Sequence, residues 1–444
     1  MINLVERIRR SEVISHVLTL STGSIIAQLI PILASLILAR LYSPEDFGTW
    51  GIFSSYATML AIIGGGRYEA VIVHAKRRVD AINLFVLSVL ILCLLSFVFL
   101  LLIGSADLFA WNVFRNVSGK YLLPLYLLVI GLVQIYNFYA NRIERYGFIA
   151  KMSITQSVVQ AGTRIVLGLS DVHRLGLIYG AIMGALASVC WGVKLHLIHY
   201  VKRCFSWNKC KELAVEYKKM PLYDLPAKLV NKASVNIPVL LLAYYFTKED
   251  VGYFSMSITL LFLPMSFIGS AIGQVFYKKA CVCNDEQIAR LGRNIFKFTF
   301  IIGLVPIILL VCWDEALFEF FLGKGWGIAG TYSLYLCLWV WCLFCFFALE
   351  PIFIVKNRQR LGMLLNMVMF VLRIMAVIAG GYYLNSIRWT VLLYGLVGLG
   401  LWCFEGFYIW RLLKIKMNRQ ELISGIGILV VVLSVWSLKV MNNF

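Results

Sequence analysis

Charged side chains are scarce in this sequence. They make up 14% of its 444 residues, against 61% hydrophobic ones, and the mean hydropathy is +0.84. A soluble globular chain is about a quarter charged and about half apolar, so a soluble fold is excluded. Long polar stretches are missing too, which leaves no room for a separate soluble domain. Also absent is any constellation for making or breaking bonds. There is no Walker-type glycine loop, no Ser/His/Asp set with a local signature, and no metal-ligand spacing among the histidines and cysteines. The longest stretch expected outside the membrane, Gly104 to Lys120, offers Asp107 as its sole acid, which argues against a membrane-bound polymerase or glycosyltransferase. The expectation is a non-enzyme with no catalytic residue, no cofactor and no metal. Acidic residues are also few, 22 against 41 lysines and arginines, for a net charge of +19. The basic residues sit between apolar runs rather than in one stripe. That placement fits positive-inside sorting and contact with anionic membrane lipids, and does not fit nucleic acid.

What is present is a succession of apolar runs of about 20 residues, the length that crosses a hydrocarbon core of about 30 Å. By periodicity they fall at about 13–41, 47–66, 82–103, 121–140, 149–169 and 175–199, then at about 222–246, 251–276, 295–313, 329–350, 362–384 and 389–412. A shorter run, ISGIGILVVVLSVWSL, follows. This predicts an all-α polytopic membrane protein with twelve core transmembrane helices and a thirteenth at the C-terminus. No small-residue cleavage site follows MINLVERIRR, so the first span is expected to be retained. Alternate loops test the count. HAKRR, NRIER, the long stretch from Tyr200 to Met220, KNRQR and RLLKIKMNR are basic and belong on the cytoplasmic side. SPED, TKED, DEALFEFFLGK and NSIR are acidic or mixed and belong outside. Of the cysteines, Cys93, Cys190, Cys337, Cys342, Cys345 and Cys403 lie in apolar runs, and Cys204, Cys210, Cys281 and Cys283 in basic loops. Cys342-x-x-Cys345 reads as packing residues rather than a redox or metal pair.

One short acidic turn occurs twice. In LYSPEDFGTW and YFTKEDVGYF, Ser43 aligns with Thr247, Glu45 with Glu249, Asp46 with Asp250 and Gly48 with Gly252, at a constant offset of 204. Ser43 and Thr247 suit a helix N-cap, Pro44 suits the first helical position, and the acids face the positive end of the helix. Both turns join the first two spans of a six-span half, which indicates an internal duplication. The expected organisation is an N-terminal six-helix lobe over 1–205, a cytoplasmic linker over 206–221, a C-terminal six-helix lobe over 222–415 and an additional apolar segment over 416–444. With six spans each, the halves begin on the same side and are parallel repeats, an arrangement used by transporters.

Ionisable groups inside spans are costly and face a bundle interior or a wet cavity. Gln156, Gln160 and Arg164 recur every four residues on one face of the fifth span. Lys228, Lys232 and Asn236 do the same in the seventh, and Asn366 and Arg373 share a face of the eleventh. Arg67 and Glu69 end the second span in GGGRYEAVI. Arg164 and Arg373 each occupy the fifth span of their half, so a pseudo-two-fold axis would point both into one central cavity. Arginine binds phosphate through two parallel hydrogen bonds, which makes an anionic substrate the natural inference. Structural pairing is the competing reading for Arg67 with Glu69 and for Lys228 with Asp224. Glu69, Glu350 and Glu405 are candidates for ion coupling, with charge pairing the competing role. His196 and His199 read as interfacial rather than metal-binding.

The stretch ARLYSPEDFGTWGIFSSYATMLAIIGGGRYEAVIV resembles the N-terminal signature of bacterial polysaccharide-biosynthesis flippases. These are the O-antigen and exopolysaccharide translocases of the multidrug/oligosaccharidyl-lipid/polysaccharide exporter superfamily. The resemblance rests on Leu41, Tyr42, Pro44, Glu45, Phe47, Gly48, Arg67, Tyr68 and Glu69, and continues in NRIERYGFIAKMSITQSVVQ. It implies a V-shaped pair of six-helix lobes working by alternating access in the bacterial inner membrane. The implied cargo is an undecaprenyl-diphosphate-linked oligosaccharide, carried from the cytoplasmic to the periplasmic leaflet during lipopolysaccharide O-antigen or exopolysaccharide biosynthesis. Partners implied with it are a polysaccharide polymerase and a chain-length regulator. A drug/cation antiporter or a lipid II flippase of the same superfamily are the alternatives.

Overall fold

The computed structural model describes residues 26–108, 117–170, 175–193, 201, 203–263, 265–415 and 419–443. His196, His199 and the first part of the expected first span lie outside the described residues. The described residues contain helices and no strand.

Two compact units divide the chain, Met1–Ile237 and Pro238–Phe444. The first holds helices α1 (Ile26–Leu41), α2 (Pro44–Gly64), α3 (Tyr68–Val71), α4 (Arg78–Leu108), α5 (Leu122–Arg142), α6 (Tyr146–Leu169), α7 (Gly176–Val193) and α8 (Trp207–Glu216). A π-helical turn, Met220–Asp224, leads into α9 (Leu225–Tyr245), which crosses the boundary between the units at Pro238. The second holds α10 (Lys248–Leu261), a π-helical turn (Met265–Gly269), α11 (Ser270–Ala280), α12 (Asp285–Leu322), α13 (Gly327–Phe347), α14 (Ile352–Val355), α15 (Gln359–Ile378), α16 (Ile387–Leu413) and α17 (Arg419–Asn442). Every apolar run read from the sequence contains a helix, with α10 and α11 together filling the eighth. Among the described residues, nine helices are long and apolar enough to cross a membrane. The helices α6 and α9, long enough to cross, carry polar faces and are not among the nine.

The two acidic turns fold into the same capping box. Asp46 N–H donates to Ser43 Oγ at 3.3 Å, and Ser43 N–H donates back to Asp46 Oδ2 at 3.0 Å. The second turn repeats this between Asp250 and Thr247 at 3.2 and 3.3 Å. The cap residues have nearly equal backbone angles, φ −73°, ψ 161° and φ −76°, ψ 160°. Each box satisfies two helix-end N–H groups, a contribution of about 1 kcal/mol. A second duplicated device was not legible in the sequence. Glu144 and Asn357 are both left-handed, at φ 56° and 53°. After each, an arginine N–H reaches back five residues, Arg145 to Ala140 O at 3.0 Å and Arg358 to Phe353 O at 2.7 Å. Glu144 and Asn357 N–H groups donate to Asn141 O and Ile354 O, both at 3.1 Å. These are matched Schellman corners, and they set a common register for α6 and α15.

The expected linker is folded. Its helix α8 buries Cys210 and Leu213 against the first unit. Asn83 pins it, donating to Cys204 O at 3.0 Å and accepting from Ser206 N–H at 2.9 Å, and Tyr68 OH donates to Ala214 O at 3.0 Å. The first compact unit runs to Ile237, inside α9.

In the second unit α13 is the central helix, buried at almost every position from Gly327 to Cys345 and packed by α10, α12, α16 and α17. The additional C-terminal run is α17. Trp436 Nε1–H donates to Leu334 O at 2.8 Å, Lys439 pairs with Asp314 at 3.2 Å, and Asn443 Nδ2–H donates to Asp314 Oδ2 at 2.9 Å. Asp314 lies toward the far end of α12 from Asp285, which pairs with Lys356 and Lys414 at 2.6 and 3.8 Å. α17 thus starts near the Asp285 end of this unit and finishes at the Asp314 end, traversing it as a thirteenth span would. All eleven cysteines are free. Cys342 approaches Cys403 at 3.6 Å, not Cys345.

Candidate functional site

The polar residues singled out above fall into three groups. In the first unit α6 lies tightly on α7, because Gly180 and Gly184 leave no side chain in the way. A Cβ at Gly184 would sit 2.7 Å from Gln156 O, and one at Gly180 would sit 2.4 Å from Arg164 Cγ. This small-xxx-small spacing is a membrane helix-packing device. It seals Arg164 inside the unit at 8% exposure. Its Nε–H donates to Leu177 O at 2.9 Å, and its guanidinium stacks 4.4 Å over the Trp50 ring. With the Gln160 amide oxygen turned toward it, Nη1 and Nη2 donate there at 3.0 and 3.2 Å. Tyr42 OH donates to Arg164 O at 2.7 Å. Arg164 therefore has its donors occupied within its own unit, and Gln160 serves it. Gln156 is half-buried one turn earlier.

The second group surrounds the break after α2. Gly66 and Arg67 both have positive φ, 62° and 64°, a strained conformation for arginine. Arg67 Nε–H donates to Asp224 Oδ2 at 2.7 Å, and Nη1 lies 3.5 Å from Glu69 Oε1. Glu69 is 2% exposed and its Oε2 has no hydrogen-bond partner. Asp224 thus pairs with Arg67. Lys228 and Lys232 are exposed on α9 and make no salt bridge among the described residues. One turn on, Asn236 donates to Lys232 O at 2.8 Å and accepts from Thr58 Oγ1 at 3.1 Å.

The third group lies in the second unit. Arg373 is half-buried, with its guanidinium 4.4 Å from the Trp339 ring centre and 5.4 Å from that of Tyr394. Its Nε and Nη2 are buried and have no hydrogen-bond partner. Glu405, 1% exposed with Oε2 unpartnered, interacts electrostatically with both Glu350 and Arg373. Glu350 and Asn366 line a cavity of about 600 Å³ between α11, the end of α13 and α15.

Arg164 and Arg373 are thus similar in sequence and unlike in surroundings. They are also out of register. Counted from the left-handed residue of each Schellman corner, Arg373 comes one helical turn earlier than Arg164, at the position that Gln160 fills in the first unit. Sequence reading found the charges and missed the aromatic platforms Trp50, Trp339 and Tyr394, which lie on other helices. The one signal available was the Gly180-x-x-x-Gly184 spacing.

The chain matches the profile of the family described as polysaccharide biosynthesis protein over residues 37–329. Among solved structures it is similar to an inward-facing multidrug resistance MATE family transporter of the MOP superfamily, with a TM-score of 0.62 at 15% identity, covering 90% of this chain and 100% of that one. It is similar also to the lipid II flippase MurJ in an inward closed conformation, with a TM-score of 0.60 at 13% identity, covering 94% and 97%. At such identities the likeness is one of fold. No curated protein matches the chain. The profile match takes in most of the sequence, from the end of α1 into α13, and the chain belongs to the polysaccharide biosynthesis protein family.

Proposed function

We propose that this protein is a flippase. It carries an undecaprenyl-diphosphate-linked oligosaccharide, the repeat unit of an O-antigen or exopolysaccharide, from the cytoplasmic to the periplasmic leaflet of the bacterial inner membrane by alternating access. The observation that carries the reading is Arg373. A guanidinium held on two aromatic rings, with buried donors unpaired, is prepared for an anion, because an unpaired buried donor is costly until a ligand occupies it. A diphosphate in a chain of this family is the matching anion. The exposed Lys228 and Lys232 add positive charge. Moving a lipid between leaflets makes and breaks no covalent bond, so the chain acts as a transporter and not as an enzyme. Polymerase and chain-length regulator would act on its product at the outer leaflet.

A second reading, drug/cation exchange, draws on the buried acids Glu69 and Glu405 and the half-buried Glu350. It leaves the unpaired donors of Arg373 without a purpose. The test separates the two. Spheroplasts of a deletion strain with no redundant flippase, with and without the restored gene, are labelled for lipid-linked repeat units on the outer face. The flippase reading expects exposure only with the gene. Equal exposure in both, with drug sensitivity gained by deletion, would establish the exchanger instead.

A further inference from the structure

The cavity of about 600 Å³ in the second unit is within the usual size range of small-molecule sites, about 300–1,000 Å³. Its chemistry differs from that around Arg373. No lysine or arginine lines it, so it offers nothing to a phosphate. It presents instead two amides from α15, Gln359 and Asn366, one from α11, Gln274, the Tyr277 hydroxyl and the Glu350 carboxylate. Asn366 is held by its Nδ2–H bond to Gly362 O at 3.1 Å. The side chains of Gln274, Tyr277, Gln359 and Glu350 make no hydrogen bond or ion pair among the described residues. Phe347 and Phe353 supply apolar walls, and Gly273 and Gly362 keep the floor open. Phe353 is itself supported by Tyr408, stacked at 6.0 Å and 8°.

Alternating O–H groups and apolar C–H faces are the surface of a sugar ring. Amides and hydroxyls both donate and accept, a carboxylate accepts, and aromatic faces cover C–H patches. We propose that this cavity is a sugar-recognition site, taking a hexose-type residue of the lipid-linked cargo while the diphosphate is held elsewhere. The proposal rests on the flippase reading above. An organic cation would find one carboxylate here, whereas the Gln274 and Gln359 amides and the Tyr277 hydroxyl can each donate to and accept from sugar hydroxyls, so the lining favours the sugar. Gly362 and Gly273 then matter as absences of side chain, since anything larger would occupy the space of the ring.

The test uses the full-length protein in its host, with Tyr277→p-benzoylphenylalanine as an exposed photo-crosslinker at the cavity wall. Mass spectrometry of the adduct is expected to read hexose-type residues. That adduct should disappear from a strain lacking the transferase that puts the first sugar on the lipid. Gly362→Met fills the cavity without forcing the backbone, since a Cβ there meets the Phe353 ring at 3.6 Å, an ordinary contact. It should lower adduct yield about tenfold at unchanged protein amount, as should Glu350→Gln, each removing the equivalent of about one charged hydrogen bond. An adduct containing only phospholipid would overturn the sugar site, as would protection of Tyr277 by tetraphenylphosphonium. So would the absence of an adduct in cells whose spheroplasts still expose repeat units, an outcome that leaves the flippase reading standing. Failure of the spheroplast assay would instead remove the flippase reading itself.

Discussion

Replacing the two span arginines by alanine should give opposite phenotypes. Arg164 donates to Leu177 O at 2.9 Å and to Gln160, and stacks on Trp50. Hydrogen bonds to a charged group are worth about 1.5–3 kcal/mol each, and a desolvated cation–π contact about 2 kcal/mol. Against these stands the cost of keeping a guanidinium buried at 8% exposure, several kcal/mol that alanine would recover. The net loss for Arg164→Ala is about 2–4 kcal/mol, because the orphaned Gln160 amide and the vacated volume add to it. At about 2–4 °C per kcal/mol for a unit of this size, the melting temperature in detergent should fall by about 5–15 °C and the amount in the membrane should drop. Arg373 loses its ring contacts, about 0.5–2 kcal/mol, and its electrostatic contact with Glu405, so Arg373→Ala should melt within about 8 °C of wild type and be present in normal amount. Its export of repeat units, read in spheroplasts per molecule of protein, should nevertheless collapse. Arg373→Lys should export poorly as well, since lysine keeps the charge and loses the planar fork. The reverse order would refute the argument, with Arg164→Ala stable and inactive and Arg373→Ala unstable. Full export by Arg373→Ala would refute it too.

Further expectations follow from other parts of the fold. Gly184→Val should prevent accumulation, because its Cβ would lie 2.7 Å from a backbone oxygen of α6, whereas Gly162→Val, in open space, should be tolerated; immunoblots of membranes decide. Ser43→Ala and Thr247→Ala should each cost about 1 kcal/mol, with similar losses in thermal stability; a cost at one cap alone would sink the equivalence of the two boxes. A reporter fused after Asn443 should read periplasm while one after Arg358 reads cytoplasm, since α17 ends beside Asp314 and α15 begins beside the Lys356–Asp285 pair; a cytoplasmic signal at Asn443 would deny the thirteenth span.

Much of the scaffold could be read from sequence because its determinants are local. Apolar runs set the helices, and SPED and TKED marked the N-caps of α2 and α10. The Schellman corners escaped because Glu144 and Asn357 share no residue type, and a left-handed backbone leaves no mark when glycine is not used. The linker escaped for a different reason. Its basic residues read as a cytoplasmic linker, and Cys210 and Leu213 on one face of α8, together with the buried amide of Asn83 on α4, dock it to the first unit. That pairing spans more than a hundred residues and has no local signature.

The same limit separates the two arginines, and the reason bears on function. Each lies seven or eight residues beyond a polar side chain on one face of its helix, so periodicity treats them alike. What distinguishes them is distant: glycines on α7 that let the first helix close down on its neighbour, and Trp339 and Tyr394, which hold the second guanidinium without using its donors. Duplication copied the caps and corners, which any six-helix bundle of this kind needs for stability. It did not keep the arginine in register, and a shift of one turn converted a position filled by Gln160 in one unit into an unpaired cation in the other. A cargo with a lipid, a diphosphate and a glycan at successive positions has no two-fold symmetry of its own. Two identical linings would meet it correctly at one place and wrongly at another. One arginine is held inside its own unit with its donors on Leu177 O and Gln160, and the other rests on two aromatic rings with two buried donors unpartnered, so under the proposed function an asymmetric cargo would meet two different linings.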